Sequence, residues 1–323
     1  MTLLAVTGAG GFIGLRLAQR ALAAGRRVRG LDLSERAATL ARRAGAEVLV
    51  GDITDPAAAA ALCRGADAVV HTAAIADEDG DPAAYRRVNV DGTRTIATAA
   101  AAARVRRLVH LSSIMVYGFR AADPATEDAP LRGDGNIYCE TKLAAELALR
   151  GVHDPRGTEV VIVRPGDVYG PRGSQWILRP LELLRRRLFY LPRGAGVINH
   201  VHVDNLVDAL LLALDAPVGG ETFNLTDGRA TPCREFFAHH AAWAGRRLHT
   251  VPAPLLRGML AAGAPLYRLA GRPPPARPAA VDFLLRPHAC PNDRARARLG
   301  FTPRLDLAAG MAEVARALGL APA

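Results

Sequence analysis

The sequence predicts an α/β fold, a doubly wound parallel sheet joined to a smaller, mostly helical C-terminal lobe. Three observations predict it. Short apolar runs alternate with Ala-rich, helix-length stretches through the first half of the chain, the pattern of parallel βαβ units. A glycine-rich turn, TGAGGFIG (7–14), joins the first run to the first helical stretch. Beyond residue 165 the alternation loosens and prolines interrupt the helical stretches. The expected division is 1–165 plus 200–227 for the sheet domain and 166–199 plus 228–323 for the second lobe.

LLAVTG (3–8) is short and continuously apolar, so it reads as a strand covered on both faces. FIGLRLAQRALAAG (12–25) has helical spacing and stops at Gly25. RVRGLDL (27–33), EVLVGD (47–52), DAVVHTAA (67–74), RRLVHLSS (106–113) and EVVIVRP (159–165) continue the strand series. NVDGTRTIATAAAAARV (89–105) and YCETKLAAELALRG (138–151) are helices between them. Right-handed crossovers then put helices on both faces and any ligand at the carboxyl ends of the strands. Residues 166–199 read as a loop and a basic helix, 202–216 as a helix and ETFNLT (221–226) as a strand. Residues 228–323 read as helices broken by prolines, with PPPARP (273–278) a linker or lid.

A chain of 323 residues, half of them hydrophobic and 22% charged, can bury a large core and is not disordered. Its net charge of +10 raises nucleic acid as a partner. Arginine is scattered rather than gathered into a stripe, and the densest runs, 185–187 and 294–298, read as solvated helix faces. No nucleic-acid partner is expected. Cys63, Cys139, Cys233 and Cys290 lie far apart, with no CxxC pair and no zinc-like Cys/His spacing, so neither disulfide nor metal is expected. No charged segment leads into an apolar stretch at the N-terminus, and no apolar run reaches about 18 residues. Neither a signal peptide nor a spanning helix is expected, and the cytoplasm is the expected compartment.

The glycine turn carries the first functional signal. Gly8, Gly11 and Gly14 stand three apart between a strand and a helix. Glycines there permit a tight turn and close backbone approach to a pyrophosphate at the helix N-terminus, which places Phe12 and Ile13 beside it. Asp32 closes the second strand about 20 residues on, where an acid accepts hydrogen bonds from adenosine ribose hydroxyls. Its charge would repel a 2′-phosphate, so NAD is favoured over NADP, although Arg36 nearby keeps NADP open. Asp52 and Ile53, after the third strand, are placed to flank the adenine.

YCETK (138–142) carries the second. Lys142 is the only lysine in the chain, every other cationic side chain besides histidine being arginine. Ammonium is a compact point charge where guanidinium is a broad fork, so position 142 is a place that charge alone does not satisfy. Tyr138 and Lys142 share one helix face at i and i+4. A neighbouring ammonium favours phenolate and lowers the Tyr138 pKa from about 10 toward acid/base use at neutral pH. Ser113, ending the fifth strand, can hydrogen-bond the same substrate oxygen. Cys139, beside the tyrosine, reads as a small filler.

Taken in order, TGAGGFIG, GDITD, HTAA, NVDGT, SSIMVYG, YCETK, RPGDVYGP, VHVDNL, ETFNLT and RARLGFTP resemble the extended short-chain dehydrogenase/reductases over nearly the whole chain. That family includes nucleotide-sugar epimerases, dehydratases and 3β-hydroxysteroid dehydrogenases. The resemblance implies a Rossmann sheet and a Ser113–Tyr138–Lys142 relay. In it Tyr138 exchanges a proton with the substrate oxygen, Lys142 lowers the tyrosine pKa and holds the nicotinamide ribose, and Ser113 polarises the oxygen. It also implies Ala73, Ala74 and Pro165 beside the cofactor, and Asn89 as a support for the relay. Ile114, Met115, Val168 and Trp176 are the expected substrate-lining residues. A homodimer pairing through the 138–151 helix is expected, with a monomer as the alternative.

One departure bears on the substrate. Sugar-nucleotide members carry a phosphate-binding arginine just before VHVDNL, where this chain has Val197, Ile198, Asn199 and His200. Arg172, Arg179 or Arg193 could replace it. The stretches 252–271 and 272–289 are apolar and proline-rich, similar to the lobe of the 3β-hydroxysteroid and sterol dehydrogenases. The favoured expectation is an NAD(P)-dependent oxidoreductase acting on a secondary alcohol or ketone of a fairly hydrophobic, steroid-like or β-keto small molecule. The alternatives are a nucleotide-sugar epimerase or dehydratase with tightly bound NAD, and a non-catalytic dinucleotide-binding protein.

Overall fold

Leu3 and Ala5 of the first strand pack into one apolar cluster, Leu4 and Val6 into another. Successive side chains of a strand point to opposite faces, so a run with no polar residue needs cover on both sides. The computed structural model, which describes residues 2–76, 80–269, 271–272, 274 and 276–321, supplies that cover. Seven parallel strands lie in the order Thr222–Leu225, Glu159–Pro165, Arg107–Leu111, Ala68–His71, Leu3–Thr7, Arg27–Asp32 and Glu47–Val50. Helices Phe12–Ala23, Glu35–Arg43 and Val203–Asp215 close one face. Helices Pro56–Cys63, Thr93–Ala102 and Ile137–Arg150 close the other.

The chain builds outward from the first strand to the third, then returns to place the fourth on the first strand's other side. This reversal opens a crevice at the carboxyl ends of the strands Leu3–Thr7 and Ala68–His71, where ligands of such sheets bind. The glycine turn stands at its edge.

Local chemistry sets the helices that matter. Asn136 caps the helix Ile137–Arg150, its side chain accepting from the N–H groups of Tyr138 and Cys139 at 3.0 and 3.2 Å. The Tyr138 end of the helix is thereby held at the crevice. The stretch predicted as one helix over 89–105 starts earlier, at Pro82, and passes through a wider π turn at Arg86–Gly92 before continuing as Thr93–Ala102. Such bulges often re-aim a functional side chain, and this one carries Asn89.

The second lobe differs from its predicted form. Residues 166–199 hold three short strands besides helix, not a loop and helix alone. Asp167–Tyr169 pairs in parallel with His200–His202, Tyr190–Pro192 in parallel with His249–Val251, and Val197–Ile198 antiparallel with Thr231–Pro232. Runs of two or three residues carry too little periodicity to be read from sequence. The helix Ala253–Leu269 also continues through Pro265 rather than breaking there. Proline removes one donor, leaving the carbonyl of Ala261 without its helical partner. Ala261 is exposed, so water can satisfy it. The PPPARP stretch lies partly outside the described residues, at positions 273 and 275. A third apolar cluster, with Tyr169, Ile177, Phe236, Phe237, Met311 and Val314, forms the centre of this lobe.

Candidate active site

The glycine turn forms the first wall. Gly8 has a left-handed backbone (φ +64°), and a Cβ on Gly14 would stand 2.1 Å from the Gly8 carbonyl oxygen. Both positions therefore require glycine. Gly11 caps the following helix without a side chain, leaving first-turn amides for a ligand. Asp32 accepts from the Gly10 amide at 3.0 Å and from the Ser34 amide at 3.2 Å. It holds the turn against the second strand and keeps lone pairs for further donors. The turn, the uncapped helix end and the acid fit the pyrophosphate and adenosine ribose of a dinucleotide.

A cavity of about 680 Å³ runs from this turn into the second lobe. Its wall includes Gly8, Gly11, Phe12, Ile13, Gly14, Ala73, Ala74 and Pro165 on the sheet side. Ser113, Tyr138 and Lys142 meet at its middle, and Met115, Val168 and Trp176 line it beyond. Leu183, Phe189, Phe237, Leu256, Leu260 and Val281 complete the far end. No local signal marked these last residues, because four separate helices and a loop bring them together.

Four sequence-designated residues stand off this wall. Asp32 supports the turn from behind. Asp52 pairs with Arg87 at 2.9 Å and accepts from the Thr54 amide, which holds its pKa below the usual carboxylate range although burial acts the other way. Ile53 is buried in the core cluster beneath the Thr93–Ala102 helix. Ile114, expected to line the substrate, instead packs with Val116, Tyr117 and Cys290. The 3₁₀ turn Ile114–Tyr117 sends Met115, not its neighbour, toward the cavity.

The central trio is set by backbone and burial. Ser113 is extended, and its hydroxyl accepts from the Met115 amide at 3.1 Å. It also hydrogen-bonds the Tyr138 phenol, favouring phenolate, but burial outweighs this and pushes the phenol up to about 12. Lys142 is buried and donates to the Leu111 carbonyl at 2.7 Å. Burial lowers its pKa to about 8, opposed by the Glu146 carboxylate one turn further on. The expected lowering of the tyrosine pKa by this ammonium is absent: burial dominates, and the ammonium's hydrogen bond goes to the backbone.

Asn89 supports the trio from the π turn. Its side chain accepts from the Ile75 amide at 2.8 Å and donates to the Ile75 carbonyl and the Thr141 hydroxyl. It ties the loop after the fourth strand to the helix carrying Tyr138 and Lys142.

The lobe side carries a charge pair that sequence reading missed. Arg286 is fully buried and its guanidinium donates to both carboxylate oxygens of Asp167 at 2.8 Å. Asp167 lies on the cavity wall, so this cation is already neutralised there. Among the described residues, Lys142 and Arg179 are the cationic side chains on the wall. Arg172 lines a separate small cleft and Arg193 lines neither. Asn199, in the stretch where the arginine was missing, donates to the His288 carbonyl and accepts from the Cys290 amide, tying two distant segments of the second lobe together.

Elsewhere, His202, Asp204 and Glu313 bring their donor atoms within 4.8 Å of one another. Arg16 holds both oxygens of Asp204, at 2.5 and 2.6 Å, and so occupies the carboxylate a cation would need. The four cysteines are buried and unpaired.

Residues 4–226 match the model of the NAD dependent epimerase/dehydratase family. The chain is 30% identical over 307 residues to a 4-hydroxy-2-methyl-3-oxo-4-farnesyl-3,4-dihydroquinoline-1-oxide ketoreductase of Stigmatella aurantiaca, covering 93% of this chain and 92% of that protein. It is 34% identical over 325 residues to a UDP-glucose 4-epimerase of Mycolicibacterium smegmatis, covering 95% and 96%. Among solved structures, a short-chain dehydrogenase/reductase superfamily protein of Agrobacterium tumefaciens with bound NAD superposes with a TM-score of 0.76 at 26% identity, over 99% of this chain and 97% of that one.

Proposed function

The chain belongs to the NAD dependent epimerase/dehydratase family, and on that premise we propose that it interconverts a secondary alcohol and a ketone on a hydrophobic small molecule. It is an NAD-dependent oxidoreductase at the level the comparisons reach. The finer reading rests on one observation: the cavity that starts at the glycine turn ends in an apolar chamber whose wall cations are Lys142 and Arg179. An apolar ketone or alcohol fits that chamber, and a nucleotide diphosphate finds no cluster of cations there. The likeness to a ketoreductase supports the same reading.

The sheet side would hold the dinucleotide and the lobe the substrate. Bound NAD supplies the hydride acceptor or donor. Ser113 would hydrogen-bond the substrate oxygen, and Tyr138 would give or take its proton. Lys142, charged below about pH 8, would bind the nicotinamide ribose. Leu147, 47% exposed on the same helix, would centre a dimer contact.

A second reading, a nucleotide-sugar epimerase, draws on the 34% identity to a UDP-glucose 4-epimerase and on Arg179. A chain-length series decides between them. Purified protein with NADH should reduce 3-oxo compounds with kcat/KM rising as the alkyl arm lengthens into the chamber. A flat series, with conversion of UDP-glucose and no net NADH change, would replace the first reading by the second.

A further inference from the structure

The helix Ala253–Leu269 is apolar on two adjoining faces, Leu255 and Leu256 standing about 100° apart around its axis. One face faces inward: Leu256 is buried, Leu260 is half-buried, and both line the cavity. The other faces solvent: Leu255, Met259, Leu266 and Leu269 are 57, 47, 68 and 89% exposed. With exposed Ala262 they recur every three or four residues and form one stripe. Four of the ten large apolar side chains exposed among the described residues thus stand on one helix, which is clustering rather than scatter.

Cations border this stripe. The helix bears no acidic residue, and exposed Arg272 follows it. The strand His249–Val251 leading into it pairs with Tyr190–Pro192. Just before that partner strand stand Arg185, Arg186 and Arg187, all exposed, and Leu188, 40% exposed and part of the cavity wall. Arg186 pairs with Glu182, whereas Arg185 and Arg187 make no ion pair among the described residues. The arginine run and the apolar stripe therefore flank the same mouth.

We propose that this mouth docks on an anionic lipid surface, with the Leu255–Leu269 stripe in the acyl boundary and Arg185 and Arg187 among the headgroups. The charges favour this occupant over a second copy of the chain. Two copies each carry +10, and the stripe's helix offers no acid to answer the partner's arginines. Docked in this way, the cavity opens toward the bilayer. That it then draws its substrate from the bilayer rests on the hydrophobic-substrate reading above.

The test is co-sedimentation of the full chain with phosphatidylcholine vesicles, with and without phosphatidylglycerol. Binding should appear with the anionic vesicles, weaken in high salt, and fall about tenfold or more in Arg185→Gln/Arg187→Gln and in Met259→Glu/Leu266→Glu. Both pairs are exposed, so circular dichroism and Tm should stay at wild-type values and show that the variants fold. No binding by folded wild type, or equal binding by both variants, overturns the proposal. So does a dimer in sedimentation velocity that Met259→Glu/Leu266→Glu dissociates, which would assign the stripe to a second copy. The measurement needs no turnover. A protein that docks but reduces no apolar ketone would sink the functional reading and leave the docking intact.

Discussion

Arg286 and Asp167, the latter on the short strand Asp167–Tyr169 and on the cavity wall, form a buried ion pair, 2.8 Å to each oxygen. It neutralises a cation buried behind the cavity wall, and it bolts the segment after the helix Pro278–Leu284 to the strand Asp167–Tyr169. Removing one partner strands a buried charge, which costs about 3–5 kcal/mol. Arg286→Met should therefore lower stability in chemical denaturation by that order. The double variant Asp167→Asn/Arg286→Met should recover part of the loss. Equal destabilisation in both would mean the pair is not the link described.

The cofactor turn should be intolerant of a single methyl group. A Cβ on Gly14 meets the Gly8 carbonyl oxygen at 2.1 Å, so Gly14→Ala must displace the turn. NAD affinity by isothermal titration should weaken by about tenfold or more, equal to 1.4 kcal/mol. Asp32→Ala should weaken NAD binding and narrow its advantage over NADP, since the acid that repels a 2′-phosphate is gone.

Lys142→Arg keeps the charge but not the shape. Lys142 is buried and directed at the Leu111 carbonyl, a site with room for ammonium. The substitution should lower kcat by about two orders of magnitude or more, the scale of general acid/base assistance. Activity near wild type in Lys142→Arg would show that charge alone suffices there. In wild type, kcat/KM for ketone reduction should fall as pH rises through about 8, where burial places the loss of the Lys142 proton.

Acid should unfold the protein through its buried histidines. Burial lowers the His71 pKa to about 3 and that of His110 well below normal, with Lys142 adding repulsion. Below about 6.5 the unfolded chain takes up protons that these folded histidines refuse, so stability falls with falling pH. Each such histidine contributes up to about 1.4 kcal/mol per pH unit between 6.5 and its folded value. Urea midpoints should hold from pH 7.5 to about 6.5 and drop from there to pH 5; a flat profile throughout would contradict neutral burial.

Much of this was legible in the sequence because it is local. The glycine spacing, Asp32 at the second strand's end and the i, i+4 placement of Tyr138 and Lys142 all lie within single βα units, whose periodicity states the fold. The pH behaviour of the trio was not legible. Burial outweighs the Tyr–Lys proximity, and burial depends on residues far away in the chain. The Asp167–Arg286 pair joins positions 119 apart, and no spacing rule connects them. Ile114 and Met115 were both expected on the substrate wall, and the 3₁₀ turn after Ser113 brings Met115 there and packs Ile114 into the core. The short lobe strands and the unbroken helix through Pro265 depend on tertiary packing that overrides local propensity.

The central claim is net hydride transfer to an apolar ketone by the Ser113–Tyr138–Lys142 site. The most direct measurement follows absorbance at 340 nm for purified protein with NADH and a panel of hydrophobic ketones, then NAD with the matching alcohols, with Lys142→Met as blank. A net change in NADH that the Lys142→Met variant loses is the predicted result. No net change across the panel, with nucleotide released only on denaturing the protein, would contradict it and point to the epimerase chemistry.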